Sequence, residues 1–172
     1  MKRLWAVLPI LVLVALVWVF AGHSLRRSTS QVTPMAMVGK PLPAVALPPL
    51  AGGPAAPLRV TAKGPVLVNF YASWCAPCIE EAPALMALKA EGVKLVGVAY
   101  KDDPANNVAF LARYGDPFTA VAVDRDGRAG VEFGLTGVPE TYAVDAAGVI
   151  RAKHAGPMSA ADAEAMLTKA GL

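Results

Sequence analysis

The chain is predicted to fold as a mixed α/β domain in three layers, and three observations carry that expectation. Apolar, β-branched runs alternate with helix-forming segments; the last two strand-like runs follow one another through a tight turn; and a helix with its own start signal closes the chain. Alternating strands and helices require crossovers, hence a largely parallel sheet with helices on its faces, while the late turn adds an antiparallel hairpin.

Each element has a local reason. Met35 to Leu58 is dense in Pro, Gly and Ala, with Val45-Ala46-Leu47 and Leu58-Arg59-Val60 as short strands, and Leu42, Val45, Leu47 and Leu50 give it apolar side chains to bury. Val66 to Tyr71, bounded by Gly64-Pro65, is a strand covered on both faces. Ile79 to Leu88 switches to helix formers, with Ala82, Leu85, Met86 and Leu88 apolar and an interruption expected at Pro83. Val93 to Tyr100 is the next strand, and Pro104 to Tyr114 a helix capped by Asp103. Pro117 to Val123 is a further strand, ending at the turn Asp124-Arg125-Asp126-Gly127. Thr141 to Val144 and Val149 to His154 form a hairpin through Asp145-Ala146-Ala147-Gly148. Ser159 caps the last helix, which runs to Ala170, with Asp162 three residues on.

Ahead of this domain, Leu4 to Gly22 is uncharged for 19 residues and follows Met1-Lys2-Arg3. That length crosses a bilayer as a helix, and Trp5 and Trp18 lie near its ends, where aromatic rings favour the interface. The organisation expected is a membrane anchor over residues 1–22, a polar linker over 23–35 and one domain over 36–172. The alternative is a cleaved signal peptide processed at Val19-Phe20-Ala21, but apolar cores of such peptides usually run about 7 to 15 residues. Lys2 and Arg3 are nearly balanced by Arg26 and Arg27, so orientation rests on the short N-terminal tail: N-terminus inside, domain outside, thiols in an oxidising compartment.

The net charge of +3 belongs to the N-terminal segment. From Pro34 onward twelve basic side chains face thirteen acidic ones, and no Lys/Arg cluster is interleaved with aromatics, which argues against nucleic acid.

The chemistry is carried by the only two cysteines, Cys75 and Cys78, at the junction of the Val66–Tyr71 strand with the following helix. Two intervening residues complete a first helical turn and bring the thiols close enough to bridge. Cys75 meets unpaired backbone N–H groups and the positive end of the helix dipole, which favour thiolate, so it is the expected nucleophile. Cys78, one turn in and expected to be the more buried, is the resolving thiol. Pro77 suits a first turn, where its missing N–H is no loss. A zinc site is the first alternative, yet it needs about four ligands, and His23 and His154 are far away in sequence. A static bridge is the second, but so short a loop stabilises little.

Trp74-Cys75-Ala76-Pro77-Cys78 after Val-Leu-Val-Asn-Phe-Tyr-Ala-Ser resembles the active site of thioredoxin-fold oxidoreductases. Gly137-Val138-Pro139-Glu140-Thr141-Tyr142 and Lys153-His154-Ala155-Gly156 narrow the resemblance to the membrane-tethered thiol:disulfide interchange proteins of cytochrome c maturation, the DsbE or CcmG type, over about residues 36 to 170. The resemblance implies a thioredoxin-like fold with extra N-terminal strands and a central helix-strand insertion within residues 102–123. It implies a cis peptide before Pro139, with the Val138 backbone free to pair with an extended client and metal kept off the thiols. Trp74 is expected beside the pair as a packing and client-contact residue.

Glu81 follows Cys78 by three residues and so shares its helical face. A surface glutamate is the ordinary reading, but Asn69 stands where cytosolic thioredoxins carry a buried aspartate, and the family pattern has acidic residues at the positions of Glu81 and Glu140. Both are therefore expected to set negative charge beside the pair, raising the Cys75 pKa and relaying protons to Cys78. His154 is read as a hairpin residue.

Taken with the resemblance, the expectation is a bacterial inner-membrane, single-pass enzyme whose domain lies in the periplasm. It would reduce a disulfide in apocytochrome c or in a partner thiol protein, be recharged by a membrane electron donor of the DsbD or CcdA kind, and need no cofactor. The alternatives are a general periplasmic reductase of the TlpA or ResA type, and a non-enzymatic module that binds apocytochrome.

Overall fold

The computed structural model describes residues 12–18, 35 and 37–171 of the chain. Residues 12–18 are helical and exposed (α1), and among the described residues no helix is long and apolar enough to cross a membrane. The remainder of the expected anchor and nearly all of the expected linker lie outside the described residues.

A five-stranded sheet organises the domain, in the order β5-β4-β3-β6-β7. Its centre is β3 (Val66–Tyr71), buried at every residue, as expected of a strand that is apolar or aromatic everywhere but at Asn69. Helix α3 (Ala76–Ala90) carries the chain over to β4 (Leu95–Tyr100), parallel to β3, and α4 (Pro104–Tyr114) carries it to β5 (Ala120–Asp124), parallel to β4. The expected helix and strand within residues 102–123 are thus α4 and β5, and β5 takes the sheet edge. On the other side β6 (Glu140–Val144) runs antiparallel to β3 and pairs with β7 (Ile150–Ala155) in the hairpin. Helix α6 (Ala160–Ala170) starts with a reciprocal Ser159–Asp162 capping box, and α4 with the Asp103 side chain accepting from the Ala105 N–H at 2.9 Å.

Alternation along the strands divides the core in two. Leu67 and Tyr71 of β3 face one cluster with Leu85 and Leu88 of α3, Phe110 and Leu111 of α4 and Met166 of α6. Val66, Val68 and Phe70 face the other, built from Leu42, Leu47, Leu58, Phe133 and Tyr142. The second face is covered by the segment from Met37 to Ala62 and by the five-residue helix α5 (Arg128–Glu132).

Two local expectations are corrected and one helix is added. Leu58-Arg59-Val60 is not a strand but part of the short helix α2 (Leu58–Thr61); the paired residues there are β1 (Ala46–Leu47) and β2 (Ala56–Pro57). Leu58 and Ala62 are both buried and lie one helical turn apart, a spacing that three residues cannot display. Helix α3 is not interrupted at Pro83: it runs unbroken to Ala90, with Pro83 on the solvent side and Cys78, Glu81, Ala82, Leu85 and Leu88 buried on either side of it. Burial of both halves offsets the missing N–H, a loss of about 3 kcal/mol in an isolated helix. Helix α5 went unread because five residues show no period; it is held by the buried Asp124 carboxylate, which accepts from the N–H groups of Ala129 at 3.1 Å and Gly130 at 2.9 Å.

Gly97 in β4 sits under the stacked Tyr71 and Phe118 rings, whose centroids are 4.7 Å apart. A Cβ there would stand 2.8 Å from each ring. Gly97→Ala is expected to destabilise the domain by about 1–3 kcal/mol, measured by chemical denaturation; an unchanged midpoint would show that the rings can yield.

Candidate active site

Strand β3 ends at Tyr71, and Ala72-Ser73-Trp74 turns the chain into α3. Cys75 is the N-cap of that helix, in extended conformation, and its Sγ accepts the Cys78 N–H at 3.2 Å. Pro77 falls in the first turn. The thiols are joined as a disulfide, with Sγ atoms 2.09 Å and Cα atoms 5.3 Å apart. The expected difference in burial between them is absent: each cysteine is 3% exposed, because in the bridged form both pack into the cluster that also holds Tyr71, Ala72 and Leu85. Exposed surface lies on their chain neighbours, Trp74 at 60% and Ala76 and Pro77. Val138 packs against the cysteines' cluster, and its bond to the buried Pro139 is cis.

Glu81 is not a surface glutamate. It is 1% exposed, and with Asn69 and Cys78 it lines one cavity of about 10 Å³. Its Oε1 accepts from Asn69 Nδ2 at 2.9 Å and its Oε2 from the Met158 N–H at 3.2 Å. Burial pushes its pKa up to about 7, against the opposing pull of those two hydrogen bonds. Asn69 also donates to Thr141 Oγ1 at 2.9 Å, and its Oδ1 is, among the described residues, the one buried side-chain polar atom without a partner.

Glu140 corrects the expectation of a second charge beside the thiols. Residues 140, 142 and 144 point to the face opposite the one that carries Asn69, Thr141 and the cysteines. There its carboxylate meets Lys153 Nζ at 3.0 Å, with the two side chains 1% and 2% exposed, and accepts from the Tyr142 hydroxyl at 2.8 Å and from the Thr136 N–H and hydroxyl. Lys153 Nζ also donates to the Gly134 carbonyl at 3.1 Å. The pair ties the loop between α5 and β6, which carries Val138 and Pro139, to the hairpin.

His154 lies off the site, its Nε2 3.3 Å from the Pro157 carbonyl and its Nδ1 3.9 Å from Asp162. Among the described residues no group of three His, Cys, Asp or Glu side chains is placed to hold a metal. One buried acid at the site was missed in sequence: Asp102, whose carboxylate accepts from both the N–H and the hydroxyl of Ser73. Asp103 beside it had the evident capping role, so nothing in the sequence set Asp102 apart.

Comparison with known proteins places this geometry. The Redoxin family model matches residues 37–167. The thiol:disulfide interchange protein HelX of Rhodobacter capsulatus is 41% identical over 154 residues, covering 88% of this chain and 86% of that protein. DsbE of Pseudomonas fluorescens, also a thiol:disulfide interchange protein, is 40% identical over 156 residues, covering 91% and 86%. A solved thiol:disulfide interchange protein of the thioredoxin family from Chlorobium tepidum superposes with a TM-score of 0.61 at 27% identity, covering 76% of this chain and 94% of that one. The fold is thioredoxin-like.

Two outcomes follow from the buried acids. A carboxyl whose pKa is raised on folding stabilises the fold in its protonated form. The contribution is complete below the unfolded value of 4.5 and lost as pH rises through about 7. Oxidised wild type should therefore lose on the order of 3 kcal/mol relative to Glu81→Gln between pH 4.5 and 8, read by urea unfolding; parallel curves would refute the burial effect. Lys153→Met leaves Glu140 buried and uncompensated, with an expected loss of about 3–5 kcal/mol, partly recovered when Glu140→Gln is added.

Proposed function

We propose, for a chain that belongs to the Redoxin family and is a thiol:disulfide oxidoreductase of the DsbE and HelX kind, that it acts as a reductant in cytochrome c maturation. The supporting observation is the bridge at the N-terminus of α3 with a buried glutamate of raised pKa lining one cavity with Cys78.

In the reduced enzyme the Cys75 thiolate, at the helix N-terminus, attacks one sulfur of a client disulfide. The client S–S bond breaks, one client thiolate leaves, and a mixed disulfide forms. Glu81, with a pKa of about 7, takes the proton of Cys78 at neutral pH. The Cys78 thiolate then attacks Cys75 Sγ, the second client thiol is released, and the enzyme is left with the Cys75–Cys78 disulfide. Two electrons have passed to the client. Trp74 gives the client an exposed aromatic surface, and the Val138 backbone, ahead of the cis Pro139, offers strand-like pairing to an extended client. Client selection, rather than the redox step itself, is the role left to these three.

On this reading the client is apocytochrome c or a thiol protein of the same maturation system. The segment from Leu4 to Gly22 anchors the chain in the inner membrane with the domain in the periplasm, and a DsbD or CcdA type membrane protein returns the electrons. The length and apolarity of that segment support the anchor.

Cys78→Ser removes the resolving sulfur and should accumulate a covalent adduct through Cys75 in cells, dissociated by added reductant. Mass spectrometry of the adduct should find apocytochrome c or a maturation thiol protein. A spread of unrelated periplasmic proteins would instead mark a general reductase, and no adduct at all would sink the assignment of Cys75 as nucleophile.

A further inference from the structure

The two residues ahead of Cys75 are held by a pair of residues at the end of the neighbouring strand. Ser73 donates its N–H to Asp102 Oδ2 at 2.7 Å and its hydroxyl to Asp102 Oδ1 at 2.8 Å, while the Trp74 indole donates to the Lys101 carbonyl at 3.2 Å. None of these hydrogen bonds is made to a sulfur. It fixes the backbone from which Cys75 projects.

The clamp is built at some cost. Lys101 is, among the described residues, the one non-glycine at positive φ, at 47°, a conformation that costs about 1 kcal/mol for such a residue. That turn lets one residue pair reach three ways: the Lys101 N–H donates to the Asp124 carbonyl of β5 at 2.8 Å, its carbonyl faces Trp74, and Asp102 faces Ser73.

Asp102 itself is 5% exposed and meets no cation among the described residues. Its carboxylate is satisfied by four donors: both groups of Ser73, the Asp103 N–H at 2.8 Å and Asn107 Nδ2 at 3.0 Å. Asn107, fully buried in α4, in turn accepts the Tyr71 hydroxyl at 2.7 Å. A chain of hydrogen bonds thus leaves β3 at Tyr71, passes through α4 and the end of β4, and returns to the main chain at Ser73, two residues before the nucleophile. A buried carboxylate is expensive to desolvate, and where its partners are neutral donors they must be met in full. Holding a turn in place could be done with less.

We propose that Asp102 is a positioning residue for the thiol exchange: through Ser73 it fixes the direction in which Cys75 Sγ meets an incoming disulfide. Exchange requires the three sulfurs to lie nearly in line, so it is sensitive to the nucleophile's orientation. Alkylation by a small reagent needs only an accessible thiolate.

The test compares these two reactions in the reduced full-length chain, for wild type, Asp102→Asn and Ser73→Ala. Probes are a peptide carrying an intramolecular Cys-x-x-Cys disulfide, and iodoacetamide, each followed across pH to its thiolate-saturated rate. Asp102→Asn is expected to slow peptide-disulfide reduction about tenfold and Ser73→Ala by less, with iodoacetamide rates within twofold of wild type. Asp102→Ala should exceed both where it folds, as judged by circular dichroism. Unchanged exchange in folded Asp102→Asn and Ser73→Ala, or an equal slowing of both probes, would overturn the proposal.

Discussion

Strand β3 has neither a free edge nor a free face, and the place of the thiols follows from that. Its ladders to β4 and β6 occupy both edges, and two apolar clusters cover its faces. A strand so enclosed cannot slip by one residue without turning Leu67 and Tyr71 into the wrong cluster. The point at which it releases the chain into α3 is therefore fixed, and Cys75 stands at that point as N-cap.

The same alternation sorts the acids. Asn69 and Thr141 are paired across the β3–β6 ladder and share the face of α3, so the carboxylate of Glu81 finds the Asn69 amide there. Glu140, next to Thr141, must point the other way, and Lys153 neutralises it there. Two glutamates that look equivalent in the chain thus divide the labour. Glu81 is a buried carboxyl that lines one cavity with Cys78, and Glu140 is half of an ion pair that fastens the loop carrying Val138 and Pro139.

Much of this was legible in the chain. The strand into Cys-x-x-Cys, the Asp103 and Ser159 caps, the hairpin and the alternating order of elements are local or short-period signals, written within about ten residues of where they act. What was misread was either too short to show a period, as at Leu58–Thr61 and Arg128–Glu132, or depended on burial from outside, as at Pro83.

By itself the sequence determined the kind of chemistry: two thiols one helical turn apart at a strand end, with no other cysteine to share them. Only the tertiary structure decided the surroundings of the acids near those thiols. Glu81 gains its raised affinity for protons from burial, Glu140 loses its free charge to Lys153, and Asp102 reaches Ser73 across 29 positions of chain. The physical reason is that residue identity and spacing set reactivity within a turn of backbone. Desolvation and ion pairing are set by whatever the fold brings alongside.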